Sequence, residues 1–376
     1  MFRNNSRFKN IIISGILIEI SLLVIVLLGN LRNHIYPFIA VSLILSIPYF
    51  IQIHLIWKDK VDFKTKKKIF SIIILFAVIF RLTLLFSPPT LSEDINRYLW
   101  DGRMACNGIN PYCFPPEAEE LTDFRDDIYK DINHKYLVTF YPPLSQIIFH
   151  LAVKIDYSFY SLKLFLILFD LLTIFVIYKI LIMKDQDISN TLIYAWNPLV
   201  LIEISGSGHH DSIFVFFLIL SLYLFLLNRS KMSLFSLALS FLSKLTAVVM
   251  LPLYIKKIKN KEFLVFPLVI FLFYLPFILE LDGLFSTIIT VGSKWRFNDS
   301  IFSIINYYAG SIVVSKMIII LFFILLTIYL IYSKTDMMKS EYILIGALLI
   351  LTPNLHPWYI VWIVPFLCFF KNRAWI

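Results

Sequence analysis

The chain has 376 residues, 59% of them hydrophobic and 16% charged, and its mean hydropathy is +0.80. Soluble domains run nearer one-half apolar and one-quarter charged, so the composition excludes a soluble domain: the excess apolar surface must face lipid. The formal net charge of +9 does not point to nucleic acid. Lys and Arg sit in short runs between apolar segments, which is the pattern of the positive-inside bias.

In chain order, the basic segment 1–10 runs into a long apolar stretch with no A-x-A cleavage site. That reads as a retained first span rather than a cleaved signal peptide. The stretches 11–30, 37–57, 69–87, 160–182, 263–280 and 312–333 are long enough for membrane helices, which need roughly 17–25 apolar residues. Shorter or interrupted apolar segments lie at 191–204, 210–227, 233–254, 341–353 and 358–370. The cations fall in groups: Arg3, Arg7 and Lys9; Lys58, Lys60, Lys64, Lys66, Lys67 and Lys68; Lys179 and Lys184; Arg229 and Lys231; Lys256, Lys257, Lys259 and Lys261; Lys334 and Lys339; Lys371 and Arg373. All can be cytoplasmic if 141–155 stops short of crossing and 233–254 turns back within the membrane. The expected fold is all-α: one membrane-embedded domain, 1–376, forming a polytopic bundle of about ten spans with re-entrant and juxtamembrane helices and a cytoplasmic N-terminus. Segments 31–36, 88–140, 205–211, 281–299 and 352–358 then lie on the other side. Four of these five hold the chain's unusual polar residues, so a polar cavity is expected at that face.

In 91–112, Glu93, Asp94, Arg97, Asp101 and Arg103 crowd the exit of a span, and Asp94, Arg97 and Asp101 are spaced for one helical face. Gly108 and Asn110-Pro111 end the helix. One reading is a salt-bridged interfacial helix with Tyr98 and Trp100 at the membrane surface. The other is a carboxylate beside a cavity acting as general base, for which Asp94 is the candidate. Cys106 and Cys113 share this loop and pair if it is oxidised, whereas Cys368 lies in an apolar run and reads as inert. Segment 196–211 carries Glu203, then His209, His210 and Asp211. It invites a metal reading, hydrogen bonding to sugar or phosphate, or, for Asp211, a helix N-cap. Lys244 and Arg81 are charges inside apolar segments, available to a lipid-linked phosphate or to a buried carboxylate such as Glu203. Lys294 and Arg296 flank a Trp in 292–299, as a surface loop or a phosphate clamp. His356, Trp358 and Tyr359 follow a proline bend and can face the cavity. No Gly-rich phosphate loop, G-x-S-x-G or H-E-x-x-H appears.

Taken in order, D-I-N-R-Y-L-W-D-G-R-x(4)-G-I-N-P-Y, F-Y-P-P-L with Tyr141, W-N-P-L-x(3)-E-x(3)-S-G-H-H-D, S-K-L-T-A-V and H-P-W-Y resemble the bacterial GT-C-type glycosyltransferases, including mannosyltransferase-like members. Segment 169–181 is also similar to a span of GPI mannosyltransferase catalytic subunits. The resemblance covers roughly 69–370. It implies a polyprenyl-phosphate sugar donor, a glycan or lipid acceptor, inversion at the anomeric carbon, and an acidic base on the first external loop, which here is Asp94. It implies a bacterial inner membrane enzyme with its site facing outward, with membrane lipids and no nucleic acid as partners. The sequence makes no cofactor certain, and a divalent cation, Mg or Mn, stays open. The chain ends soon after H-P-W-Y, where relatives often continue, as expected of a short or truncated member. The competing readings are a lipid-linked sugar flippase or transporter, and a ligase or polymerase of lipid-linked glycans of the O-antigen type. Polar residues gathered at one face rather than the midplane argue against transport.

Overall fold

The computed structural model describes residues 2–58, 63–255 and 257–375, and every regular element among them is helical. Lys60 and Lys256 lie outside the described residues, as do the side chains of Arg3 and Lys64. Six helical stretches are long and apolar enough to cross a membrane: Arg7–Leu28, Ile35–Lys58, Thr65–Leu85, Phe159–Met183, Asn260–Ile278 and Ile312–Tyr332. They coincide with the six long apolar segments of the sequence. Only 11% of the apolar window of Asn260–Ile278, and of Ile312–Tyr332, is buried by other residues. Their Leu, Ile and Phe side chains therefore point away from the protein, a disposition only a lipid solvent favours.

The shorter apolar segments form short or interrupted helices. Helix Pro143–Ile155 opens on two prolines and has 13 residues. At 1.5 Å per residue it extends roughly 20 Å, short of the ~30 Å hydrocarbon core. Helices Asp211–Leu226 and Ser230–Ser243 form a hairpin, with Ser221 bonded to Ser233 near its turn. At Lys244 the backbone is extended (φ −155°), and a 3₁₀ segment, Leu245–Tyr254, follows. Tyr254 reaches the same Ser221 hydroxyl at 3.0 Å and packs on Phe225. The chain has thus turned back at Lys244, beside the helix it came from.

Segment 192–206 is interrupted twice. Helix Leu192–Ala195 stops before Asn197-Pro198, and Asn197 caps the next turn through Leu199 and Val200 N–H. A π-helical turn, Leu201–Gly206, then carries Glu203. Such turns recur at functional sites. The break strands carbonyls in an apolar interior, where each needs a donor. Arg81 supplies one, its Nη1 donating to Ala195 O at 2.8 Å while Nε donates to Asp170 Oδ2 at 2.7 Å, both side chains fully buried. Arg81 therefore pairs with Asp170, not with Glu203 or a ligand. Lys163 closes the C-terminus of helix Phe63–Leu85 by donating to the carbonyls of Leu84, Leu85 and Ser87.

Two side chains read as interfacial are interior: Tyr98 and Trp100 are each 1% exposed. Trp100 and Met104 of helix Asp94–Cys106 form a small core with Leu121 and Ile132, which fixes the loop that follows onto that helix. The helix in turn sits tightly on Pro143–Ile155. A Cβ at Gly102 would fall 2.5 Å from the Phe149 carbonyl oxygen, so only glycine allows this approach. Cys106 and Cys113 are free thiols rather than a disulfide, and Cys106 Sγ lies 3.5 Å from His150 Nδ1. Cys368 is buried.

Candidate active site

Four of the five segments expected on one face, 88–140, 205–211, 281–299 and 352–358, meet at one end of the bundle around a cleft of about 490 Å³. The fifth, 31–36, joins them from outside: Leu31 N–H donates to Thr90 Oγ1, and Arg32 pairs with Glu93. The sequence's clustering argument thus has a geometric counterpart. Segments 292–299 and 352–358 are tied by two backbone hydrogen bonds, Phe297 N to Pro353 O and Leu355 N to Phe297 O. That pairing stacks Phe297 on His356, His356 on Trp358 and Trp358 on His209, with ring centroids 4.7, 4.5 and 3.8 Å apart.

The cleft wall carries Glu93, Asp94, Arg97, Tyr141, His210, Lys244, His356, Trp358 and Tyr359, all singled out in the sequence. Asp94 opens its helix, so its carboxylate sits beside the helix N-terminus. Asn133 Nδ2 donates to Asp94 Oδ1 at 3.3 Å. Burial pushes the Asp94 carboxyl up to about 6, against the opposing pull of Asn133 and Lys244. Its neighbour Glu93 moves the other way, held below the usual carboxylate range by the Arg32 guanidinium. Two adjacent acids thus have separate chemistry, with Asp94 the one poised near neutrality. Arg97 donates to Asp101 at 2.8 Å and to Leu137 O at 3.0 Å while still reaching the cleft. Lys244, held at the backbone break, donates to Asp211 Oδ1 at 2.6 Å and lies over the rings of Tyr359 and Trp362. Tyr98 bonds His210 Nδ1 at 3.0 Å and packs edge-on against Tyr141.

Three candidates stand one layer behind the wall. Glu203, His209 and Asp211 are 7%, 1% and 0% exposed and do not line the cleft. Asp211 is not an N-cap: His210 holds that position, and Asp211 Oδ1 accepts from Lys244 and from Trp362 Nε1. Gly208 makes the turn that seats these residues. Its φ is +76°, and a Cβ there would lie 2.4 Å from Ile95 Cδ1. Asp101 is consumed by Arg97 and Gln146. Arg103 ties the loop to Asp126 and Phe124 O, away from the cleft. Arg296 pairs with Asp299 and Lys294 is exposed, while the residues that reach the cleft from that loop are Trp295 and Phe297. Among the described residues no three or more His, Cys, Asp or Glu side chains are arranged to hold a metal ion.

Sequence reasoning gave no role to Asn133, His134, Thr139, Phe297 and Trp362, and named Trp295 only as the residue that Lys294 and Arg296 flank. Each lies in a loop or apolar run without local signature and acquires a role only by packing. The Trp295 indole, for example, meets His134 at 4.6 Å from a loop more than a hundred residues away.

The arrangement offers one near-neutral carboxylate, two cations and an aromatic wall, in a cleft at the end of an apolar bundle. A sequence-family profile described as Alpha-(1->6)-mannopyranosyltransferase, N-terminal domain, matches residues 22–258, which include helix Asp94–Cys106, Glu203, the His209–Asp211 turn and Lys244. Comparison with curated proteins returned no match, and comparison with solved structures returned none either.

Proposed function

The chain belongs to the alpha-(1->6)-mannopyranosyltransferase family, and from that premise we propose that it transfers mannose from a polyprenyl-phosphate donor to a glycan or lipid acceptor. The architecture is GT-C-like: about ten crossings, counting the shorter apolar helices, with re-entrant segments at 143–155 and 233–254. In this reading the protein sits in a bacterial inner membrane with a cytoplasmic N-terminus and the cleft on the outer side.

The observation that carries the reading is Asp94, a carboxyl raised to about 6 on the wall of a cleft that also presents Lys244 and Arg97. A donor already in the bilayer brings its phosphate to the two cations, which give charge-assisted hydrogen bonds to phosphoryl oxygens. The sugar lies against Tyr141, Trp358 and Tyr359. Asp94 takes the proton of the acceptor hydroxyl as its oxygen attacks the anomeric carbon from the face opposite the phosphate. The phosphate leaves with the electron pair of the broken C–O bond. Because it departs as an anion, cations stabilise it without a protonating acid. Configuration at the anomeric carbon inverts.

The test is transfer of labelled mannose from polyprenyl-phosphate mannose by the purified full chain in detergent, against Asp94→Asn, with and without chelator. Label moving to an acceptor, and lost in the variant, supports donor and base together. Activity unchanged by chelator removes the divalent cation. A folded protein that binds the lipid but transfers nothing favours the flippase reading.

A further inference from the structure

Lys244 owes its place on the cleft wall to one carboxylate oxygen. Asp211 Oδ1 accepts from Lys244 Nζ at 2.6 Å and from Trp362 Nε1 at 2.5 Å. Three stretches far apart in the chain meet there: the start of helix Asp211–Leu226, the backbone break at 244, and the residues just after Pro357–Ile360. Trp362 is 2% exposed, packs on Phe214 and stacks on Tyr359 with ring centroids 4.6 Å apart, so its N–H is fixed in direction. Lys244 Nζ lies 4.2 and 4.8 Å from the ring centroids of Tyr359 and Trp362, within cation–π range. Among the described residues Lys244 is the only Lys or Arg within ion-pair distance of Asp211. The two histidines that face Asp211 are placed otherwise. His210 is engaged by Tyr98, and His209 stacks on Trp358 between Asp94 and Glu203 without a hydrogen bond to either.

Asp211 does not line the cleft and Lys244 does. The carboxylate supplies the counter-charge without which a buried ammonium is costly. An ammonium has three N–H donors. One is spent on Asp211, and the rings confine the group so that the others are left for the cleft. A lysine stem is flexible, and one held in place beforehand loses little freedom when an anion arrives.

We propose that Asp211 and Trp362 are positioning residues of the donor site: they hold Lys244 aimed at the donor phosphate, and neither touches the donor. The proposal rests on the reading of Lys244 as a phosphate-binding cation. Trp362 acts through Asp211, and Asp211 acts through Lys244.

The test is initial-rate transfer from polyprenyl-phosphate mannose by the full chain in detergent. Asp211→Asn keeps the side chain's shape and an oxygen for Trp362 but removes the counter-charge. It is expected to lower kcat/KM for the donor about 10–100-fold, the range found when a residue behind a ligand-binding group is removed, with KM for the acceptor nearly unchanged. Trp362→Phe keeps an aromatic ring without the N–H and should cost about tenfold in the same parameter, as losing a hydrogen bond to a charged group does. In a Lys244→Met background, Asp211→Asn should lower the residual transfer by less than about twofold further, because the group it acts through is gone. A merely structural carboxylate would cost as much in either background. An equal loss in both, or an undiminished kcat/KM in Asp211→Asn, overturns the proposal and leaves the ion pair a frame. If Asp211→Asn does not fold, Trp362→Phe taken through the same two backgrounds decides by the same criterion. Undiminished transfer by Lys244→Met is a different failure: it removes the phosphate reading of Lys244, and the role of Asp211 with it.

Discussion

Two buried ion pairs divide the molecule. Arg81–Asp170 joins helix Thr65–Leu85 to Phe159–Met183, with both side chains 0% exposed and neither on the cleft wall. Lys244–Asp211 joins the break at residue 244 to the start of helix Asp211–Leu226, with the Lys side chain 15% exposed on the cleft wall. The chemistry is the same and the surroundings differ. Arg81 directs Nε to Asp170 and Nη1 to the carbonyls of Ala77 and Ala195, so it holds a frame. Lys244 makes a single protein hydrogen bond and otherwise faces aromatic rings and the cleft, so it can reach a ligand. A charge inside an apolar segment marks a candidate site when it also reaches a cleft, as Lys244 does and Arg81 does not.

The sharpest break of that comparison is Arg81→Met. It leaves Asp170 ionisable, buried and without its partner, a loss typically worth about 3–5 kcal/mol, and the variant should fail to yield monodisperse protein in detergent. Lys244→Met should behave otherwise. Asp211 keeps Trp362 as a donor, so the protein folds while donor binding is lost, as equilibrium binding of the lipid phosphate would show. If both variants unfold alike, the distinction between frame and site is wrong.

Asp94→Asn comes next, with an expected fall of about 10²–10⁴-fold in transfer, the usual worth of a general base, and a retained fold.

The pH dependence follows from the same carboxyl. Asp94 must be ionised to act, so kcat/KM should drop about tenfold per pH unit below about 6. Its folded pKa is raised from 3.8. The folded protein therefore binds this proton more tightly, and the resulting stability is full below about pH 4 and is lost as pH rises through about 6. Thermal melts of Asp94→Asn should lack that contribution. A rate profile flat from pH 5 to 8 would exclude Asp94 as the base.

The smallest effects should come from residues the fold withdraws from the cleft. Lys294→Ala should change transfer by less than about twofold, as exposed surface substitutions usually do. A larger loss would return the loop 292–299 to the phosphate site.

Much of this was legible. The six long spans, the shortness of 143–155 and the reversal within 233–254 follow from apolar length and cation placement alone, because the bilayer forces both. Asp94, Lys244, His210 and the H-P-W-Y bend were legible as polar residues where an apolar environment penalises them. The partners of the buried charges were not. Arg81 and Asp170 are 89 positions apart, and Lys244 and Asp211 33 apart, so helix packing, which no local pattern encodes, chooses each pair. Nor was the division of the His209–Asp211 turn visible: which of its side chains line the cleft and which stand behind it depends on one positive φ at Gly208 and on the seat Trp358 provides.

By itself the sequence determined that the chain lies in a membrane, which segments are long enough to cross it, and that its polar residues collect at one end. Only the tertiary structure decided which of those residues touch the cleft, which hold the frame, and that His209 sits between Asp94 and Glu203. The reason is physical. Solvent partition acts on composition segment by segment, whereas hydrogen-bond partners and ring stacks in a dry interior are fixed by ångström-scale packing between segments far apart in the chain.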